Sequence, residues 1–252
     1  MDIYRSKEII VFDLDGTLSK SKGDIDSEMS NLLGELLKIK KVAVITGGAY
    51  PQMIKALLKN LHCDKSLFSN LYLFPTDATS FYKYIDGQWV NQYREELDLE
   101  QRDKIIKALE ESMIEAGYIK PEKVYGAIIE DRETQITFSG LGQNAPLEEK
   151  LKWDPDQTLR RKIIKAFEKK ITDYDAKIGG STSIDVNRKG IDKAYGIRQI
   201  EKTLNIPVEK MIFIGDALFE GGNDHAVKRT GIENISVDNP EETKEIIREI
   251  IK

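Results

Sequence analysis

The chain of 252 residues holds one cysteine, Cys63, and two histidines, His62 and His225. A lone cysteine excludes an intrachain disulfide and a thiolate-rich zinc site, and two histidines far apart in sequence argue against an imidazole zinc centre. There is little excess charge. Thirty-eight Lys and Arg against 43 Asp and Glu leave a formal −5, which speaks against a general nucleic-acid binder with a basic face. No stretch approaches the ~18 consecutive apolar residues of a membrane span. The short apolar run from Ile9 is cut by Asp13, unlike the core of a signal peptide. Internal repeats and low-complexity segments are lacking too. With 40% hydrophobic and 32% charged residues, the chain reads as a soluble cytoplasmic protein, with neither nucleic acid nor membrane among its expected partners.

What is present is a change of texture along the chain. Up to about residue 80, short β-branched runs (8–12, 41–46 and 71–74) alternate with helical spacing. One helix follows Asp26 as N-cap and another begins near Pro51. Strand, helix, strand, helix, strand marks a parallel sheet with crossover helices. Residues 80–85 and 88–93 flank Asp86-Gly87, a strong hairpin signal. The helical span 99–116 follows, then strands expected at 124–130, 135–138, 177–178 and 182–186 with a helix over 156–171. Hairpins mixed with helices indicate an α+β module with an antiparallel sheet. The alternating texture returns near Asp192, with a helix over 193–204 and a strand at 211–214. The economical architecture is α/β: a Rossmann-like parallel-sheet core, 1–80 and 187–252, interrupted by an α+β domain, 81–186.

The most informative segment is IVFDLDGTL, residues 10–18. An apolar strand ends in Asp13 and Asp15, and in open parallel sheets the ligand crevice lies beyond the carboxyl ends of strands. Two such acids are unfavourable together unless a cation or shared proton lies between them. Mg²⁺ suits oxygen ligands and keeps positions for water and phosphate oxygens. A carboxylate is also a nucleophile able to form an acyl phosphate, a role for Asp13, with Asp15 as acid and base. Three further segments are expected to converge there. Thr46-Gly47-Gly48 follows the second strand and offers a hydroxyl and backbone N–H groups to phosphate. Lys193, with Lys189 as competitor, supplies a point charge. MIFIGDALFEGGND, residues 211–224, ends a strand in Asp216, with Asn223 and Asp224 folding back behind the ligands.

These motifs resemble the four motifs of the haloacid dehalogenase (HAD) superfamily of phosphoryl-transfer enzymes, and the insert resembles a type IIB cap. GGSTSIDVNRKGIDK and GDALFEGGNDH are similar to segments of eukaryotic-type phosphomannomutases. The resemblance implies Asp13 as phosphorylated nucleophile and Asp15 as acid/base. It implies Mg²⁺ held by Asp13, the Asp15 carbonyl and Asp216, with Thr46 and Lys193 on the transferring phosphoryl group. It also implies sugar-phosphate contacts from Ser183, Asp185 and Lys22, and homodimers through the cap. Lys150 stands where that family carries a cap arginine, and the segment 135–150 has no arginine.

A weak distal grip favours water as acceptor, so the expectation is a Mg²⁺-dependent phosphatase of a small phosphorylated metabolite, a sugar phosphate. The alternative is a phosphohexomutase using a hexose bisphosphate. A third reading, a non-catalytic phospho-acceptor, leaves the inserted domain without a role.

Overall fold

The computed structural model of the protein describes residues 3–21 and 23–252. In chain order its elements are β1 (Ile9–Asp13), α1 (Ser27–Ile39), β2 (Lys41–Ile45), α2 (Tyr50–Met53), β3 (Leu71–Phe74), β4 (Ser80–Ile85), β5 (Gln88–Arg94) and α3 (Leu99–Glu115). They continue with β6 (Ile129–Asp131), β7 (Ile136–Ser139), α4 (Leu147–Trp153), α5 (Thr158–Glu168), β8 (Tyr174–Ile178), β9 (Ser183–Arg188), α6 (Lys193–Leu204), β10 (Met211–Gly215), β11 (Glu233–Ser236) and α7 (Pro240–Ile250). Two compact units result: Met1–Arg94 with Asp192–Lys252, and Glu95–Ile191.

The first unit is built on a seven-stranded sheet in the order β11-β10-β1-β2-β3-β4-β5, parallel from β11 to β3 and antiparallel beyond. Every residue of β1 is buried, which is what a parallel strand covered on both faces requires. Ile10 and Phe12 pack with Leu33 of α1 and Ile247 of α7, whereas Ile9 and Val11 pack with Ile197 and Ile200 of α6. Full burial of each such side chain contributes about 1.5–3 kcal/mol. Ile9 pairs with both Met211 and Lys41, so β1, β2 and β10 run level and their carboxyl ends open on one edge. Asp26 caps α1 as its sequence implies, accepting from the Met29 N–H at 2.8 Å.

The second unit carries an antiparallel four-stranded sheet, β6-β7-β9-β8. Ile136, Phe138, Ile184 and Val186 face α3 and α5, joining one core with Leu109 and Phe167. Strand alternation sends Thr137, Ser139, Ser183 and Asp185 to the opposite face.

Several expectations need correction. The β4–β5 hairpin is not part of the insert: Tyr72 and Leu73 of β3 pair with Lys83 and Tyr82, adding it to the core sheet. The boundaries therefore fall at 94/95 and 191/192 rather than 80/81 and 186/187. The strand expected over 124–130 shrinks to β6, because Gly126 takes φ +90° and breaks the extended run. The helix after β2 lasts only through α2 before widening into a π-turn at Ile54–Leu58. α4 and the half-exposed edge strand β11 have no counterpart in the sequence reading.

Candidate active site

β1 delivers Asp13, 3% exposed, to the open edge of the core sheet. The chain then turns tightly: Leu18 and Ser19 N–H groups donate to the Leu14 carbonyl, and Gly16 N–H donates to Ser19 O at 2.7 Å. Gly16 adopts φ +91°, and a Cβ there would strike the Asp216 carboxylate. Both facts demand glycine, and together they bring the first and last motifs into contact. Asp15 sits half-buried in this turn, while Thr17 is fully buried and its hydroxyl has no hydrogen-bond partner among the described residues.

Lys193 opens α6 because Asp192 caps the helix, accepting from the Ala194 and Tyr195 N–H groups at 2.9 and 3.2 Å. Its side chain is 1% exposed, and Nζ donates to Asp13 Oδ1 at 2.5 Å and to Asp224 Oδ1. The second Asp224 oxygen accepts the Ala217 N–H at 3.0 Å. Lys189, the competing lysine, is exposed in the turn after β9. Asp224 folds back beside the ligands through the Gly221-Gly222 turn and holds Lys193 there, and carboxylate oxygens of Asp13, Asp216 and Asp224 lie within 4.8 Å of one another.

Burial pushes the Asp13 carboxyl well above its ordinary range; Lys193 opposes this while Asp224 and Asp216 add to it. Burial, then Asp224, raises Asp216 as well. Burial also works against the Lys193 charge, but attraction to Asp13 and Asp224 overrides it and holds the ammonium above the normal lysine range. Three carboxylates, those of Asp13 and Asp224 buried and that of Asp216 partly so, thus cluster beside one ammonium, a surplus of negative charge that a cation relieves. The donor set is all oxygen, which suits a hard divalent ion that keeps open coordination positions.

Thr46, 2% exposed, follows β2 at the same edge. Its hydroxyl accepts the Gly48 N–H at 3.0 Å. This corrects the expectation that both glycine amides are offered to a phosphate. The Gly48 amide serves the threonine, which keeps its own proton to donate.

In the second unit, Asp185 Oδ1 accepts from Thr137 Oγ1 at 2.7 Å and lies 3.7 Å from Arg132 Nη1. Arg132 also pairs with Glu130 at 2.7 Å and donates to Gln135 Oε1 at 2.8 Å. Ser183 begins β9, 6% exposed. The Gly179 backbone passes so close that a Cβ there would strike both Asp185 and Ser183. Lys150, 4% exposed on α4, donates to the Gln143 carbonyl at 2.8 Å. Asn223 is exposed and makes no side-chain hydrogen bond among the described residues. Lys22 lies outside the described residues. Sequence reasoning gave Arg132 and Thr17 no role; the signal available for each was only its adjacency to a strand end bearing acids.

Strand-end acids, a buried lysine and a threonine loop on one edge of this sheet define a HAD-type phosphoryl-transfer enzyme, a phosphotransferase or phosphatase. The chain belongs to the eukaryotic phosphomannomutase family, whose model matches residues 29–252. It is 31% identical to the phosphomannomutase of Encephalitozoon cuniculi, covering 98% of this chain and 94% of that one. It is 27% identical to that of Saccharomyces cerevisiae, covering 98% and 96%. In fold it is similar to the IMP-nucleotidase of Plasmodium falciparum, with TM-score 0.71 at 24% identity, covering 98% of this chain and 71% of that one. It is likewise similar to the C-terminal domain of C. albicans trehalose-6-phosphate phosphatase, with TM-score 0.64 at 16% identity, covering 99% and 94%. Among the described residues, no helix is long and apolar enough to cross a membrane.

Proposed function

We propose that the protein is a Mg²⁺-dependent phosphohexomutase of the phosphomannomutase type, moving a phosphoryl group between hydroxyls of a hexose phosphate through a phosphoaspartate. The sequence reading put hydrolysis first. The observation that favours transfer is that similarity to phosphomannomutases runs through residues 95–191 as well as through the core.

In the first half-reaction a carboxylate oxygen of Asp13 attacks phosphorus. The bond to the sugar oxygen breaks, and Asp15 gives that oxygen its proton. In the second, an acceptor hydroxyl loses its proton to Asp15 and attacks the phosphoaspartate, restoring the Asp13 carboxylate. Lys193 stays protonated throughout and offsets charge on the transferring oxygens, and Thr46 donates its hydroxyl proton to one of them. Mg²⁺, when held by Asp13, Asp216 and the Asp15 carbonyl, neutralises the phosphoryl charge. Asp224 fixes the lysine. Ser183, Asp185 and Lys22 hold the sugar phosphate, with Gly47 lining the phosphate loop. A cytoplasmic location and a homodimer formed through the inserted domain belong to the same reading.

One observation favours the phosphatase alternative: Lys150 is buried and spends its ammonium on the Gln143 carbonyl, a poor grip for a distal phosphate. The test supplies hexose 1-phosphate and a hexose 1,6-bisphosphate to Mg²⁺-loaded protein, with Asp13→Asn as blank. Hexose 6-phosphate without matching inorganic phosphate is the expected result. Phosphate release equal to substrate consumed would establish the phosphatase instead.

A further inference from the structure

Three consecutive residues after β3, none of them glycine, take positive φ: Thr76 at 50°, Asp77 at 55° and Ala78 at 66°. Left-handed backbone is uphill for L-residues and ordinarily occurs singly. A run of three persists only where its surroundings over-determine it. Here the surroundings are two parts of the active site.

On one side the turn grips the phosphate loop from behind. The Thr76 N–H donates to Gly48 O and the Asp77 N–H to Thr46 O, both at 2.9 Å. A right-handed turn of the same residues would carry those two donors off the two carbonyls. On the other side Ala78 meets α6 one turn after Lys193. A Cβ on Gly196 would lie 3.2 Å from the Ala78 Cβ and 3.1 Å from Ile45 Cδ1, so the helix that carries the lysine is seated directly on the turn.

The turn in turn has its own braces. Thr79 Oγ1 donates to Thr76 O at 2.9 Å and lies 2.5 Å from Thr76 Oγ1. Because the Thr79 proton goes to the carbonyl, the Thr76 hydroxyl supplies the one between the two oxygens. Tyr93 of β5 donates its hydroxyl to Ala78 O at 2.8 Å. Thr76, Ala78 and Thr79 are at most 3% exposed.

We infer that the left-handed Thr76–Ala78 turn sets the distance between Thr46 and Lys193, with Thr79 and Tyr93 as the positioning residues that hold it left-handed. Thr79 and Tyr93 act through the turn, bonding to Thr76 O and Ala78 O, and not on the reacting atoms. The inference deepens the reading of Thr46 and Lys193 as phosphoryl-binding groups and rests on it. It also gives the β4–β5 hairpin a task, since β5 brings Tyr93 to the turn.

The test compares wild type, Thr79→Val, which keeps the shape without the hydroxyl, and Thr79→Ser, which restores it. Three readouts are taken well below each melting temperature: amide exchange at Thr76 and Asp77, affinity of the Mg²⁺-loaded protein for inorganic phosphate, and kcat against KM. In Thr79→Val, exchange is expected to accelerate, and phosphate affinity and kcat each to fall about tenfold, as small displacements of positioned groups do. KM for the sugar moiety should move less, and Thr79→Ser should recover all three. Faster exchange with unchanged phosphate affinity and kcat would show the turn to be structural only and overturn the inference. A wild type that transfers no phosphoryl group refutes the proposed function instead, and phosphate affinity still decides the positioning. If Thr79→Val fails to fold, Tyr93→Phe is read the same way.

Discussion

The Lys193 ammonium lies 2.5 Å from Asp13 Oδ1 although 180 positions separate the two residues. Both side chains are buried, so each depends on the other for compensation. Replacing Lys193 by Met keeps the length and removes the charge, leaving three clustered carboxylates uncompensated. Without metal, unfolding in urea with EDTA present should show a loss of about 3–5 kcal/mol. Adding Mg²⁺ should return a larger share of stability to Lys193→Met than it adds to the wild type. Equal gains in the two proteins would mean that lysine and metal do not share the carboxylates.

Because Asp13, Asp216 and Asp224 converge within 4.8 Å, Mg²⁺ should stabilise the folded core without any substrate. At a hundred times the dissociation constant the gain is about 2.7 kcal/mol, visible as a rise in melting temperature over the EDTA-treated protein. Asp216→Asn, which keeps the side-chain volume and removes one charged ligand, should abolish most of that rise. A full rise in Asp216→Asn would place the metal elsewhere.

The site was legible where chemistry is written in short contiguous runs. IVFD announces a doubly buried strand ending in an acid, and the parallel register then puts Asp13, Thr46 and Asp216 on one edge. Sequence favours Lys193 but keeps Lys189 as its competitor, because what separates them physically is the Asp192 cap and the burial of one side chain. It does not show that Asp224 joins the carboxylate group directly, a consequence of how a glycine turn folds back. The aromatic texture of the hairpin differs from that of the preceding strands and so groups it with the insert in the sequence, whereas its pairing with Tyr72 and Leu73 is a nonlocal register that composition does not carry. β11 escaped notice because its burial never rises above intermediate, leaving no apolar run to detect.

Arg160 and Asp154 form a buried pair in the second unit, 2% and 5% exposed, with Nε 2.9 Å from Asp154 Oδ2. Arg160 Nη1 also donates to Gly180 O at 2.6 Å, tying α5 to the loop that leads into Ser183. Arg160→Met removes the cation from a carboxylate that keeps the Leu159 and Arg160 backbone N–H groups at 3.0 and 3.2 Å, and should cost about 3 kcal/mol, the low end for breaking a buried pair. Arg160→Lys should recover only part, since an ammonium lacks the planar fork that reaches Asp154 and Gly180 together. Fluorescence of Trp153, followed through urea unfolding in a Trp89→Phe background, reports on this unit. A loss under 1 kcal/mol in Arg160→Met would show that the loop is held by other means.

Lys244 of α7 bonds to Asp26 at 2.7 Å, Glu28 at 3.2 Å and Glu241 at 2.8 Å, fastening the last helix to the start of α1. Its own bond with Lys244 draws the Asp26 carboxyl below its ordinary range, and Lys244 does the same to Glu28. Burial opposes the Lys244 charge, yet the three carboxylates raise its pKa above the normal lysine value. The carboxylates are depressed on folding, so their contribution is complete above the ordinary range near pH ~4 and fades as pH falls through the folded values. The lysine is raised on folding, so its contribution is complete below pH ~10.4 and fades as pH climbs toward its folded value. Urea midpoints across pH should therefore drop at both ends for the wild type. Lys244→Met should show a smaller drop at each end and little change in slope between them. An unaltered acid limb in Lys244→Met would mean that Asp26 and Glu28 owe their depressed titration to something other than this lysine.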